Sequence, residues 1–299
     1  MKFGITLPQY AQAVSPEGCV EVAKVAERLG YDSVWLADHV VTPPTFASAY
    51  GPGFMDPFVL MGYLASVTER VDIGTAVIVV PSRNPLAVAS MLATADKLSG
   101  GRIIFGAGAG WDREEFEALG VPFEERGAMT DEYLAIMRAL WTEEAPAFDG
   151  RYFRFANAVM APKPVRPEGV RVWIGGNAPA AQRRAVRSGD AWHPSNASRT
   201  ERESGIVRIR ELCEASGRAA PPAMTLRLDI RLALGNRPDT PRPWCIRGKP
   251  AEVAERIGTD YAGLGLEHLG VDMANPTWEQ MVESIDAFAR DVIQHVAAL

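Results

Sequence analysis

Val71-Asp72-Ile73-Gly74-Thr75-Ala76-Val77-Ile78-Val79-Val80-Pro81 is the stretch that decides the fold. From Val71 to Val79 it is nearly continuous Val, Ile and Ala, interrupted by Asp72, Gly74 and Thr75. A strand of this kind is buried on both faces, as in a parallel sheet covered by helices. The flanks supply such helices. Pro57–Val67 precedes the strand, and Asn84–Leu98 follows it until Gly100-Gly101 breaks the helix. Further out lie two more apolar strands, Ser33–Ala37 and Arg102–Ala107.

The same unit repeats to both ends of the chain. Lys2–Pro8 reads as the first strand. Ser15-Pro16-Glu17 then opens a helix, with Ser as N-cap and Pro at the first helical position. Val22, Val25, Ala26 and Leu29 fall on one face of it, and Gly30 ends it. Downstream of Ala107, helical patterns cover Glu114–Leu119 and Arg126–Trp141. Strands are expected at Val170–Ile174, Ala191–His193, Thr225–Leu234 and His268–Val271. The helices between and after them are Ala178–Arg187, Arg199–Ser216, Pro250–Ala262 and Thr277–Val296. Three segments leave the repeat. They are an irregular insertion after the second strand (Val40–Phe54), a short hairpin near 148–155 around Asp149-Gly150, and a Pro-rich loop (Gly235–Gly248). Eight strands alternating with helices predict an α/β fold, a single (β/α)₈ barrel over residues 1–299. Active sites of such barrels lie at the C-terminal ends of the strands.

Composition narrows the function classes. The net charge is −6 without a basic block, so no nucleic-acid partner is expected. No apolar run is long enough for a membrane span, and the N-terminus does not read as a signal peptide. The three cysteines (Cys19, Cys213, Cys245) share no short spacing, which fits three separate thiols in a reducing, cytoplasmic setting. No metal site is expected either. There is no His-x-His pair and no H-E-x-x-H, and His268 opens its strand at the end away from the site.

The strand ends carry the chemistry. Asp38-His39 closes the second strand, and His39 is a candidate for proton transfer near neutral pH. Gly106-Ala107-Gly108-Ala109-Gly110 follows the fourth strand, but Trp111 breaks any dinucleotide fingerprint. Two readings stand for that loop: a surface kept small for a flat ring, or a tight turn without a ligand. Gly175-Gly176-Asn177-Ala178 precedes a helix, where exposed N–H groups favour a phosphate; an ordinary βα turn is the alternative. Trp111, Trp192 and His193 stand near strand tops and are candidate walls of a substrate pocket, or packing residues.

Together these residues resemble a known family. Gly74–Pro81 with Asn84-Pro85, and Leu98-Ser99-Gly100-Gly101-Arg102 leading into Gly106-Ala107-Gly108, are similar to signatures of the bacterial luciferase-like monooxygenase superfamily. Gly110-Trp111, Glu114-Glu115-Phe116, Leu119-Gly120-Val121, Arg126-Gly127, Asp131-Glu132, Trp173–Asn177 and Gly189–Trp192 resemble its branch that depends on the deazaflavin F420. The likeness runs over about residues 2 to 290. It implies a homodimeric barrel with a cofactor across the strand tops and a non-proline cis peptide at Ala76-Val77. It also implies that Thr75, Ala76, Val77, Gly108, Ala109 and Gly110 flank the cofactor, that Gly175–Ala178 takes its phosphate, and that His39 lies by the reactive face with Asp38 orienting it or touching the cofactor. Luciferase carries an arginine for flavin phosphate where this chain has Ala109, which leans the reading to F420 over FMN. Some F420 enzymes place a glutamate acid near position 111, where this chain has Trp111.

The implied activity is F420-dependent hydride transfer to or from a small organic substrate, with the cofactor reduced by a separate enzyme. The alternatives are an FMN-dependent monooxygenase served by a flavin reductase, and a non-catalytic barrel that binds a flavin or other ligand.

Overall fold

The structure, a computed structural model, describes residues 1–11, 13–44, 46, 51, 53–156, 158–235, 245–273 and 275–296. Eight strands form the barrel: β1 (Lys2–Thr6), β2 (Ser33–Leu36), β3 (Asp72–Thr75), β4 (Ile103–Gly108), β5 (Arg171–Gly175), β6 (Ala191–His193), β7 (Ala223–Leu232) and β8 (His268–Asp272). Each pairs in parallel with the next, and β8 closes on β1 through Lys2↔His268 to Ile5↔Val271. The main helices are α1 (Pro16–Arg28), α2 (Pro57–Val67), α3 (Pro85–Ser99), α4 (Arg126–Thr142), α5 (Pro179–Ser188), α6 (Arg199–Ser216), α7 (Pro250–Tyr261) and α8 (Trp278–Phe288). Their starts follow the sequence cues. Ser15 Oγ accepts the N–H of Gly18, Asn84 caps α3, and Ser198 with Glu201 forms a capping box on α6. The short hairpin pairs Phe148↔Phe155 and Asp149↔Arg154.

Two expectations change. The Pro-rich loop ends in a further strand, Ile246–Gly248, which pairs in parallel with the end of β7. Residues 236–244 of that loop, and 45, 47–50 and 52 of the 40–54 insertion, lie outside the described residues. The stretch expected as one strand from Val71 to Val79 is broken. β3 stops at Thr75, and the chain rejoins the sheet at Ile78–Val79, against Ala107 and Gly108 of β4. The Ala76–Val77 peptide bond between them is cis. Thr75 Oγ1 bridges the gap in the ladder: it accepts the Gly106 N–H and donates to the Gly106 carbonyl, both at 3.0 Å.

Large residues on one strand sit opposite glycines on its neighbours, so the lumen is packed rather than open. Trp35 stands in the middle. A Cβ on Gly4 would come within 2.2 Å of its Nε1, and one on Gly74 within 2.3 Å of its Cζ3. Trp173, His193 and His268 surround it, with ring centroids 5.0, 5.2 and 5.5 Å from Trp35. The Val77 side chain turns inward above this layer. Cβ atoms on Gly108 and Gly175 would fall 2.5 and 2.6 Å from its methyls. At the opposite end of the barrel Arg171 and Asp72 form a bidentate pair at 2.8 and 2.6 Å. Among the described residues no helix is long and apolar enough to cross a membrane.

Candidate active site

The broken strand brings the candidate residues together. The carbonyl of Leu36, at the end of β2, accepts the N–H of Ala76 at 2.7 Å, so Ala37-Asp38-His39 leaves the barrel beside the cis step. Ala76 and Val77 are half-buried, whereas Thr75, Ile78 and Val79 are buried. The cis step is therefore the accessible part of a sealed strand. Gln9 anchors this mouth from below: its amide accepts the N–H of Ala37 and donates to the carbonyls of Ala37 and Met55.

His39 sits at the rim. Its Nδ1 lies 2.9 Å from Glu115 Oε2, and the other oxygen, Oε1, accepts the Val40 N–H at 2.7 Å. Burial alone would raise the Glu115 carboxyl. The bonds from His39, Val40 and Val41 outweigh it and hold the carboxyl below the usual range. Glu115 is therefore an acceptor only, and the proton of this bond belongs to His39 Nδ1. In a neutral ring that leaves the lone pair on Nε2. Phe54 and Trp111 flank the imidazole at centroid distances of 5.0 and 5.8 Å, and Phe46 packs edge-on against Trp111 at 4.8 Å. Trp111, expected as a pocket wall, is half-exposed in this aromatic rim.

Asp38 does not orient His39. Its oxygens take a bidentate pair from Arg83 at 2.7 and 2.8 Å, and Oδ2 also accepts the Val79 N–H. It ties the end of β2 to the strand that resumes after the cis bond. Thr75 is likewise committed to Gly106. Trp192 and His193 form no pocket wall. Trp192 points outward under α6, where its ring would meet a Cβ on Gly205, and its Nε1 donates to the Gly176 carbonyl. His193 is buried in the lumen, where burial and then the nearby Arg227 and Arg202 push its pKa down to about 3. It is a neutral packing residue bonded to Thr225 Oγ1.

The glycines divide between two tasks. Gly106, Gly108 and Gly175 make room for Thr75 and Val77. Ala109 and Gly110 lie half-buried along the mouth. Gly176, Asn177 and Ala178 are exposed ahead of α5, which has Pro179 in its first turn and no side-chain cap. Gly176 takes φ of 114°, which excludes other residues without strain. The loop is pinned: Asn177 exchanges two hydrogen bonds with the Ser195 backbone at 2.9 and 3.0 Å. That leaves its main chain, rather than its side chain, to meet an anion.

Sequence reasoning missed Glu115 as a site residue. It lies three residues after Asp112, the N-cap of the short helix Arg113–Ala118, and that spacing reads as a capping pair. Its carboxylate instead leaves the helix for His39 and the backbone of the 40–41 segment. A polar network of Tyr10, Arg227 and Asp272 was also missed. Both Tyr10 Oη and Arg227 Nη2 donate to Asp272 Oδ2, and Tyr10 stacks on Phe54 at 4.7 Å. Burial opposes the charge on Arg227, but Asp272 and Asp229 more than restore it. The three residues are far apart in the chain and share no motif.

A closed parallel barrel with its polar groups and a cis step at the strand tops places the protein among the α/β barrels. The comparisons name the family. Residues 1–240 match the Luciferase-like monooxygenase family, and the chain belongs to it. An F420-dependent glucose-6-phosphate dehydrogenase of Segniliparus rotundus is 28% identical over 97% of this chain and 96% of its own length. Among solved structures, monooxygenase RslO1 from Streptomyces bottropensis superposes with a TM-score of 0.84 at 21% identity, covering 99% of both chains. An F420-dependent secondary alcohol dehydrogenase, solved with an F420-acetone adduct, superposes with a TM-score of 0.82 at 21% identity, over 99% of this chain and 98% of that one.

Proposed function

We propose that this luciferase-like oxidoreductase uses F420 to move a hydride to or from a small organic substrate. The observation that carries the reading is the pairing of His39 with Glu115 beside the accessible Ala76–Val77 step. The Segniliparus relative, named as F420-dependent over nearly its whole length, supports the cofactor. The residues present fit such a group. The half-buried Val77 and the small residues Ala109 and Gly110 offer a flat ring an apolar surface to lie on, and the uncapped start of α5 at Gly176–Ala178 suits its phosphate. When bound, F420 supplies two-electron hydride chemistry.

The chain's own residues do the rest. Glu115 fixes the imidazole, and His39 Nε2 takes the proton of a substrate hydroxyl as hydride leaves, or returns it to a carbonyl in reverse. Phe46, Phe54 and Trp111 give the substrate an apolar wall that excludes water.

The test is a titration of cofactor-free protein with F420 and, separately, FMN in both redox states, followed by fluorescence. Micromolar or tighter F420 binding with negligible FMN binding is expected. Preference for reduced FMN would replace the proposal with oxygen insertion served by a flavin reductase. Firm binding without turnover of any alcohol or carbonyl substrate would point to a ligand-binding barrel.

The protein is also proposed to act as a homodimer. α2 is apolar on every side: Phe58, Leu60, Met61 and Leu64 are buried, while Val59 and Tyr63 are 74% and 51% exposed. A helix apolar all round needs cover. A second copy of the same face is the self-complementary solution. Sedimentation is expected to give a dimer that Val59→Glu with Tyr63→Glu converts to monomer; a monomeric parent chain would refute it.

A further inference from the structure

We propose that His39, Asp112 and Glu115 form a site for a first-row divalent cation, Zn²⁺ being the best match, and that filling it reverses the hydrogen-bonding role of His39. One ring nitrogen and one oxygen from each carboxylate lie within 4.8 Å of one another. His39 Nδ1 and Glu115 Oε2 are 2.9 Å apart, a hydrogen-bond separation that has to widen only to about 3.3–3.6 Å to seat a tetrahedral ion with bonds of about 2.0–2.2 Å. Asp112, whose oxygen lies within 4.8 Å of both, moves inward to complete the set.

A second observation concerns Asp112. The residue is 5% exposed; its Oδ1 accepts the N–H groups of Glu114 and Glu115, and its Oδ2 is buried with no hydrogen-bond partner among the described residues. A buried carboxylate oxygen left unpaired is costly, because it has given up its water without a replacement. Two buried carboxylates here face a single imidazole, and a divalent ion balances them. One imidazole and two carboxylates suit zinc and its neighbours, with open positions left for water. The sequence hides the site because His39 and Glu115 are 76 residues apart and match no metal-binding spacing.

The ion would act on the histidine. Without it, Nδ1–H donates to Glu115 and Nε2 holds the lone pair. A cation on Nδ1 needs that nitrogen's lone pair, so the single proton of the neutral ring moves to Nε2. The pocket-side nitrogen then donates a hydrogen bond and no longer accepts a proton. This half of the proposal rests on the function assigned to His39; ion binding does not.

The two halves are tested separately. Chelator-stripped, cofactor-free protein is titrated with Co²⁺, read by its visible absorption, and with Zn²⁺ by equilibrium dialysis. One ion per chain is expected, weakened about 100-fold in Asp112→Asn and in Asp112→Ser, which keeps a capping oxygen. Circular dichroism establishes that each variant is folded. Absence of stoichiometric binding, or equal binding in the folded Asp112 variants, overturns the site. With F420 bound, Zn²⁺ is expected to suppress alcohol oxidation reversibly in the parent chain, and not to lower the rate of Asp112→Asn below its own metal-free value. Stoichiometric binding that leaves the parent rate unchanged overturns the switch.

Discussion

His39→Gln is expected to lower turnover by about 10²–10⁴-fold, the range that a positioned acid–base group contributes. Glutamine is close enough in size to hold the space between Phe54 and Trp111, and its amide can still donate to Glu115. It cannot accept and release a proton. Glu115 keeps its bonds to the N–H groups of Val40 and Val41, so the segment after β2 retains its path. The surfaces assigned to the cofactor, at Ala76–Val77, Ala109–Gly110 and Gly176–Ala178, do not include the histidine. Cofactor affinity is therefore expected to stay within a few-fold of the parent. Steady-state kinetics and fluorescence titration on one preparation separate the effects. A turnover loss under tenfold would remove His39 from proton transfer. A parallel loss of cofactor binding would make it a binding residue instead.

Gly106→Ala is expected to destabilise the fold by about 3 kcal/mol, the upper part of the range for overpacking. In a chain of this size that corresponds to a fall in melting temperature of roughly 5 °C. The new Cβ would lie 1.7 Å from the carbonyl oxygen of Thr75 and 3.3 Å from Cγ1 of Val77. The first of these is backbone, so no rotamer relieves it. β4 is paired on both sides, to β3 and to β5, and cannot slide away without breaking one ladder. The same change pushes apart Thr75 Oγ1 and the Gly106 main chain, which bridge the interrupted ladder. Thermal unfolding measured by circular dichroism tests this. A shift under about 2 °C would mean that the strands spread at little cost and that the glycine has another purpose.

The barrel was legible because its strands are short apolar runs separated by capped helices, and those cues are local. Ser15 with Pro16, Asn84 with Pro85, and Gly100-Gly101 each mark an element boundary within a residue or two of where the structure has it. The interior of the site was less legible because it depends on which way each side chain points. Trp192 and His193 are adjacent on β6, and neighbours on a strand face opposite sides. Parity alone forbids both from lining one pocket. Asp38 and His39 lie beyond Leu36, where β2 ends, so strand parity does not set their directions and the sequence does not mark where the strand stops. The glycines at the end of β4 allow two readings from sequence, space for a ligand or a tight turn without one. Most of that space is filled by Val77, which comes from a neighbouring strand and arrives there only because the chain turns at Ala76. Glu115 was obscured by its helix-start position, since what its carboxylate contacts is brought there by the barrel and not by the local sequence.

Trp35, with Gly4 and Gly74 on the strands either side, has a consequence for how such a barrel can change over time. The indole occupies volume that belongs in part to positions 4 and 74. A smaller residue at 35 would leave a hole that those two positions are placed to fill, and any side chain at 4 or 74 would first require the indole to move. The three positions, spread over the first quarter of the chain, therefore constrain one another's substitutions, and relatives are expected to alter them as a group or not at all.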